Sequence, residues 1–103
     1  MKKVFIIGAS GGLASFVIEA IQNAELTLFV RNKSRLSPKI AKDHKVIEGD
    51  AIKYDSVKNA IAGHDIVYVN LAGNLEVMGK NIVKAMKETG VKRIIVIQFN
   101  RHL

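Results

Sequence analysis

The run Val4-Phe5-Ile6-Ile7, followed by Gly8-Ala9-Ser10-Gly11-Gly12-Leu13-Ala14, constrains this chain more than any other stretch. A continuous, β-branched apolar run this short reads as a strand buried on both faces, the kind found in parallel sheets. Beyond the glycines, Leu13, Phe16, Val17, Ala20 and Ile21 recur at i, i+3, i+4, i+7 and i+8, which predicts a core-facing helix over Gly12 to Asn23. A strand that feeds a helix through a glycine turn aims free backbone N–H groups and the positive end of the helix dipole at one spot. That arrangement is a cradle for phosphate.

At 103 residues, 49% of them hydrophobic and 24% charged, the chain has room for one core, and residues 1–103 are expected to form one domain. It contains no cysteine, which excludes disulfides and thiolate metal sites and makes the cytoplasm the default compartment. Lys2 and Lys3 ahead of an apolar run imitate a secretory signal, but Gly8, Gly11 and Gly12 interrupt that run short of the roughly 7–15 apolar residues a signal needs. No stretch reaches the length of a membrane span. The net charge of +7, from 16 Lys plus Arg against 9 Asp plus Glu, raises the question of nucleic acid. The lysines are scattered, however, and Lys80, Lys84 and Lys87 fall at helical spacing beside Met78, Ile82 and Met86, as on the wet side of an amphipathic helix. With four Phe, two Tyr and no Trp, mostly inside apolar runs, the stacking platforms of nucleic-acid binders are missing. The surplus positive charge suits an anionic small ligand better.

Further along, Leu26 to Val30 reads as a second strand, Lys45 to Glu48 as a third, Asp65 to Val69 as a fourth and Arg93 to Ile97 as a fifth. Between them, a short helix around Lys39 to Lys42 follows Pro38, Asp55 or Ser56 is expected to cap a helix running to Ile61 with Gly63 ending it, and a helix from Asn74 to Thr89 closes at Gly90. Strand and helix alternate almost without exception. The expected fold is therefore α/β, a doubly wound parallel sheet of five strands in the order 3-2-1-4-5, with the ligand crevice between strands one and four.

Gly8-x-x-Gly11-x-x-Ala14 is a variant of the dinucleotide glycine fingerprint, in the strand-to-helix context that the motif requires. Gly8 permits the tight turn, Gly11 lets a pyrophosphate approach the backbone, and Ala14 lets helix and strand pack closely. At the end of the second strand, where an acid would hold a ribose 2′-hydroxyl and favour NAD, the chain has Arg31, then Asn32, Lys33 and Arg35. A guanidinium suits a 2′-phosphate, so NADP(H) is preferred, with NAD(H) still possible. Asp50, just past strand three, can accept from an adenine amino group or simply hold a turn, and Ala51 can offer its backbone. Asn70 to Gly73 ends strand four beside the crevice, where small residues leave room for adenosine. His44, His64 and His102 lack metal-ligand spacing, and no metal is expected.

With GASGGLA after strand one, VRN after strand two, EGDA after strand three and NLAG after strand four, the chain resembles the NmrA-like branch of the atypical short-chain dehydrogenase/reductases over nearly its whole length. That resemblance implies a Rossmann-type nucleotide-binding half. In it, Gly8, Ser10, Gly11, Gly12 and Leu13 would meet the pyrophosphate, Arg31 the 2′-phosphate with Asn32 and Arg35 beside it, Asp50 and Ala51 the adenine, and Leu71, Ala72 and Gly73 the adenosine side. It also implies reduction of small acceptors such as quinones or flavins, or use of the dinucleotide as a redox signal without turnover. Members of the family continue past strand five with serine-rich sequence, sometimes a tyrosine and lysine, and a substrate-binding half, whereas Ile97-Gln98-Phe99-Asn100-Arg101-His102-Leu103 follows a different course and Tyr54 and Tyr68 lie in the wrong segments for a proton donor. The expectation is a nucleotide-binding half alone, with reductase activity weak or absent; the alternative is a non-catalytic dinucleotide-sensing or partner-binding module. A fifth strand near the chain end leaves a bare edge, which predicts a homodimer.

Overall fold

The computed structural model describes residues 2–8, 18–21, 23–70 and 75–97. Strands β1 (Lys2–Ile7), β2 (Ala24–Val30), β3 (Lys45–Glu48), β4 (Ile66–Asn70) and β5 (Arg93–Ile97) pair in parallel throughout, in the order β3-β2-β1-β4-β5. Helices α1 (Pro38–Asp43), α2 (Tyr54–Ile61) and α3 (Leu75–Thr89) lie between the strands, and Ile18 to Ala20 are helical as well. This is the predicted doubly wound α/β sheet in its predicted order.

The lack of polar alternation in β1 has a direct cause in the packing. Successive side chains of a strand point to opposite faces, and here both faces are covered. Phe5 and Ile7 join Phe29, Val67 and Val69 beneath α2 and α3, against Val57, Ile61, Met78, Ile82 and Met86. Val4 and Ile6 join Leu26, Leu28, Val30 and Tyr68 on the other face, against Ile18 and Leu36. On α3 the expected apolar side is the buried one, with Lys80, Lys84 and Lys87 exposed.

Three local expectations are corrected. Of the predicted first helix, Ile21 packs against the core as expected, Ala20 is exposed and Ile18 is buried instead, while Leu13, Phe16 and Val17 lie outside the described residues; Asn23, at φ +61, lies outside the helix in a left-handed turn that asparagine tolerates. Neither Asp55 nor Ser56 caps α2. The helix begins at Tyr54, at least two residues earlier than either cap would set it, with Lys53 in the cap position and no side-chain cap, because Ser56 is engaged elsewhere. Its Oγ accepts the Asp50 N–H at 3.1 Å.

Candidate functional site

In an open parallel sheet, ligands bind beyond the carboxyl ends of the strands, at the point where strand order reverses. That point lies between β1 and β4. Gly8 leaves β1 there with φ +85, and its N–H donates to the Phe29 carbonyl of β2 at 3.3 Å. A Cβ at Gly8 would land on the carbonyl of Asn70, the last residue of β4. Two constraints thus coincide at one residue: a backbone conformation that disfavours side chains and a strand end with no space for a methyl group.

One strand over, Val30 is paired with Glu48, and the Gly49 N–H donates to the Val30 carbonyl at 2.8 Å. Arg31 to Arg35 emerge between these two strand ends, all exposed. Among the described residues neither Arg31 nor Arg35 forms an ion pair. Asn32 is committed to local structure. Its Oδ1 accepts from the Ser34 N–H at 3.1 Å and the Ser34 hydroxyl at 2.7 Å, capping a 3-10 turn over Lys33–Arg35. The Lys33 N–H is taken by the Glu48 carboxylate, Oε2, at 3.0 Å.

Asp50 and Ala51 continue from β3 into a tight turn. Asp50 Oδ1 accepts the Ile52 N–H at 3.0 Å, and its carbonyl accepts the Lys53 N–H at 3.0 Å. The Ala51 carbonyl is occupied by Asn81 of α3, whose Nδ2 donates to it at 3.0 Å and to the Ile52 carbonyl at 2.7 Å. The structure therefore brings Gly8, Arg31, Asn32, Arg35, Asp50 and Ala51 to the carboxyl ends of β1, β2 and β3. The predicted Ser10, Gly11, Gly12, Leu13, Leu71, Ala72 and Gly73 lie outside the described residues. Glu48, Ser56 and Asn81 are the residues that sequence reasoning missed.

Neither tyrosine faces this region as a free acid. Tyr54 is wedged between α2 and α3 with the Lys84 ammonium 4.6 Å from its ring centre. Burial first, and the nearby Glu88 carboxylate second, push its phenol up to about 12, although the buried hydroxyl lies outside strict hydrogen-bond geometry from any partner among the described residues. Tyr68 is buried in the opposite face, which raises its phenol as well. His64 is an interior brace: its Nε2 lies 2.9 Å from Thr27 Oγ1 and its Nδ1 3.0 Å from the Ile61 carbonyl. Among the described residues no His, Asp and Glu cluster could hold a metal ion.

The sequence pattern of the NAD(P)H-binding family matches residues 8–100, nearly the whole chain. The chain belongs to this family. Among solved structures it is similar to a Rossmann-fold NAD(P)-binding family protein from Shigella flexneri, at 35% identity and TM-score 0.85, covering 91% of this chain and 50% of that one. A short-chain dehydrogenase/reductase from Veillonella parvula in complex with NADP matches at 26% identity and TM-score 0.80, covering 92% and 46%. The triphenylmethane reductase of Citrobacter sp., complexed with NADP(H), matches at 27% identity and TM-score 0.77, covering 91% and 36%. The chain thus spans half or less of the length of these relatives.

Proposed function

We propose that residues 1–103 act as the NADP(H)-binding domain of an NmrA-like oxidoreductase working in the cytoplasm, with the dinucleotide laid across the carboxyl ends of β1 to β4. The observation that carries this reading is the conjunction of Gly8, where no side chain fits, with an exposed guanidinium one strand away at Arg31. The diphosphate meets backbone amides over Gly8 to Leu13, and the 2′-phosphate meets Arg31 with Arg35 in support. Asp50 and Ala51 border the adenine, and Leu71, Ala72 and Gly73 the adenosine. Reduced nicotinamide supplies a hydride, and the acceptor is a small conjugated molecule such as a quinone or flavin. The part of this chain is to bind and orient, which is where such reactions gain most. The bare strand β5 pairs two copies into a homodimer. Similarity to reductases found with NADP or NADP(H) supports the choice of cofactor.

Arg31→Asp tests the cofactor assignment directly. It should weaken NADPH binding by roughly tenfold or more, because a charge-assisted hydrogen bond becomes a like-charge contact, and leave NADH binding equal or stronger. Titration calorimetry of both dinucleotides reads this out, and an unchanged NADPH affinity refutes the role of Arg31. NADPH oxidation with quinone and flavin acceptors then separates a reductase from a module that binds without turnover.

A further inference from the structure

Resting on the NADP(H) reading above, we propose that Glu48 is a positioning residue for cofactor selection: it fastens the loop that carries Arg31, through its bond to the Lys33 backbone.

The argument begins with what an arginine needs in order to read a phosphate. A guanidinium presents donors in a fixed fork, and the bidentate geometry that makes it selective is lost if its backbone wanders. Arg31 starts such a wandering path, because β2 ends at Val30 and Arg31 to Arg35 are all exposed, and the next buried side chain is Leu36, at the far end of the 3-10 turn. Two polar ties act between these two apolar anchors. Asn32 closes the turn on itself through Ser34, but a bond between residues two apart fixes the shape of a loop and not its place. The second tie fixes place. Glu48 lies 15 residues away on the neighbouring strand, in register with Val30, and its carboxylate accepts the Lys33 N–H at 3.0 Å. It is thus tied to the sheet on one side and to the reading loop on the other.

A carboxylate beside a site for a doubly charged phosphate is electrostatically unfavourable, so charge alone would make Glu48 select against NADPH. Its geometric and its electrostatic effects therefore have opposite signs, and two substitutions separate them. Glu48→Ala removes both acceptor and charge, whereas Glu48→Gln keeps an acceptor oxygen and removes the charge.

If Glu48 acts by position, Glu48→Ala weakens NADPH binding roughly three- to tenfold, the net range of one solvent-exposed hydrogen bond, moves NADH binding by less, and strips the Lys33 amide of its protection from hydrogen exchange. Glu48→Gln retains both protection and NADPH affinity, or improves the latter. Should both variants tighten NADPH, Glu48 acts as a repelling charge and the inference is overturned. Loss of Lys33 protection with an unchanged NADPH-to-NADH ratio overturns it too, while a shift of that ratio in Arg31→Asp keeps the cofactor reading standing. If Arg31→Asp also leaves the ratio unchanged, the cofactor reading itself has failed and the inference falls with it.

Discussion

The two outer strands of the sheet are built in contrasting ways. β3 has four residues with charged Lys45 and Glu48 at its ends, and its central Val46 and Ile47 pack against different faces of the core, Val46 against the cluster that holds Leu28 and Leu36, Ile47 against the one that holds Phe29 and Val57. β5 reads RIIVI, and its Ile94, Ile95 and Val96 remain 41%, 48% and 60% exposed. Short length and terminal charge are the usual ways to blunt a sheet edge against unwanted pairing, and β3 uses both. β5 uses neither, beyond Arg93 at its start. On one side it borders a groove of about 320 Å³ between Ile21, Ile66, Tyr68 and Ile95. The lesson is that the β3 edge is blunted by its own length and charge, where the loop of Arg31 to Arg35 emerges, while among the described residues the β5 edge leaves apolar side chains exposed.

The comparison breaks if the β3 side tolerates added volume as well as β5 tolerates its loss. Gly49, just past β3, has ordinary backbone angles, so space alone decides there. A methyl group would land on Ser56 Oγ and within 2.7 Å of the Phe29 ring. The serine can rotate only by abandoning the Asp50 N–H, and Phe29, 2% exposed, is held in the core. Gly49→Ala should therefore cost about 1–3 kcal/mol, the usual range for overpacking, read as a lower urea midpoint with an unchanged slope. Val96→Ala on β5 should stay within about 0.5 kcal/mol, as surface changes do. Equal losses from the two would refute the contrast.

A charge on β5 sharpens it further. Ile95→Lys should leave the folding of the chain intact, because the side chain already stands half in water, yet abolish pairing between copies. Light scattering should find a dimer of the 11.3 kDa chain that the variant converts to a monomer. A parent protein that is monomeric at micromolar concentration sinks the assignment of β5 to self-pairing.

How much of this could be read beforehand follows the same divide between local and distant causes. β3 and β5 have the predicted limits because turn and cap residues bound them in sequence, and the strand order followed from alternation of strand and helix. Gly8 was legible because fingerprint context demands it. The cap of α2 was not: Ser56 looks like a helix cap to any local rule, but its hydroxyl is claimed by a turn six residues back. Asn81 holds Ala51 from 30 residues away and Glu48 holds Lys33 from 15. Neither bond leaves a trace in spacing, since each exists only after the sheet has brought the two segments together. In the first helix periodicity placed Ile21 correctly and Ala20 wrongly, since Ile18 is the buried neighbour; a choice between adjacent faces is made by the sheet.

The smallest effect concerns the seam where the two sides meet. α2 follows β3 and α3 precedes β5, and Glu88 of α3 joins them. The nearby Tyr54 hydroxyl first, though short of strict hydrogen-bond geometry, and Lys58 second, hold its carboxyl below the ordinary glutamate value; the geometry on which the effect stands is the ion pair, with Lys58 Nζ 2.9 Å from Oε2. A carboxylate whose pKa is lower folded than unfolded adds stability that is complete above the unfolded value, about 4.3 for glutamate, and disappears as pH falls through the folded one. Glu88→Gln should consequently lower stability slightly at neutral pH and match the parent in strong acid, so that the difference between their melting curves closes below about pH 4. With side chains 44% and 38% exposed, the pair is screened by water and salt, and the difference should shrink further when sodium chloride is added. A gap that persists unchanged into acid would mean that Glu88 joins the two sides by packing and not by charge.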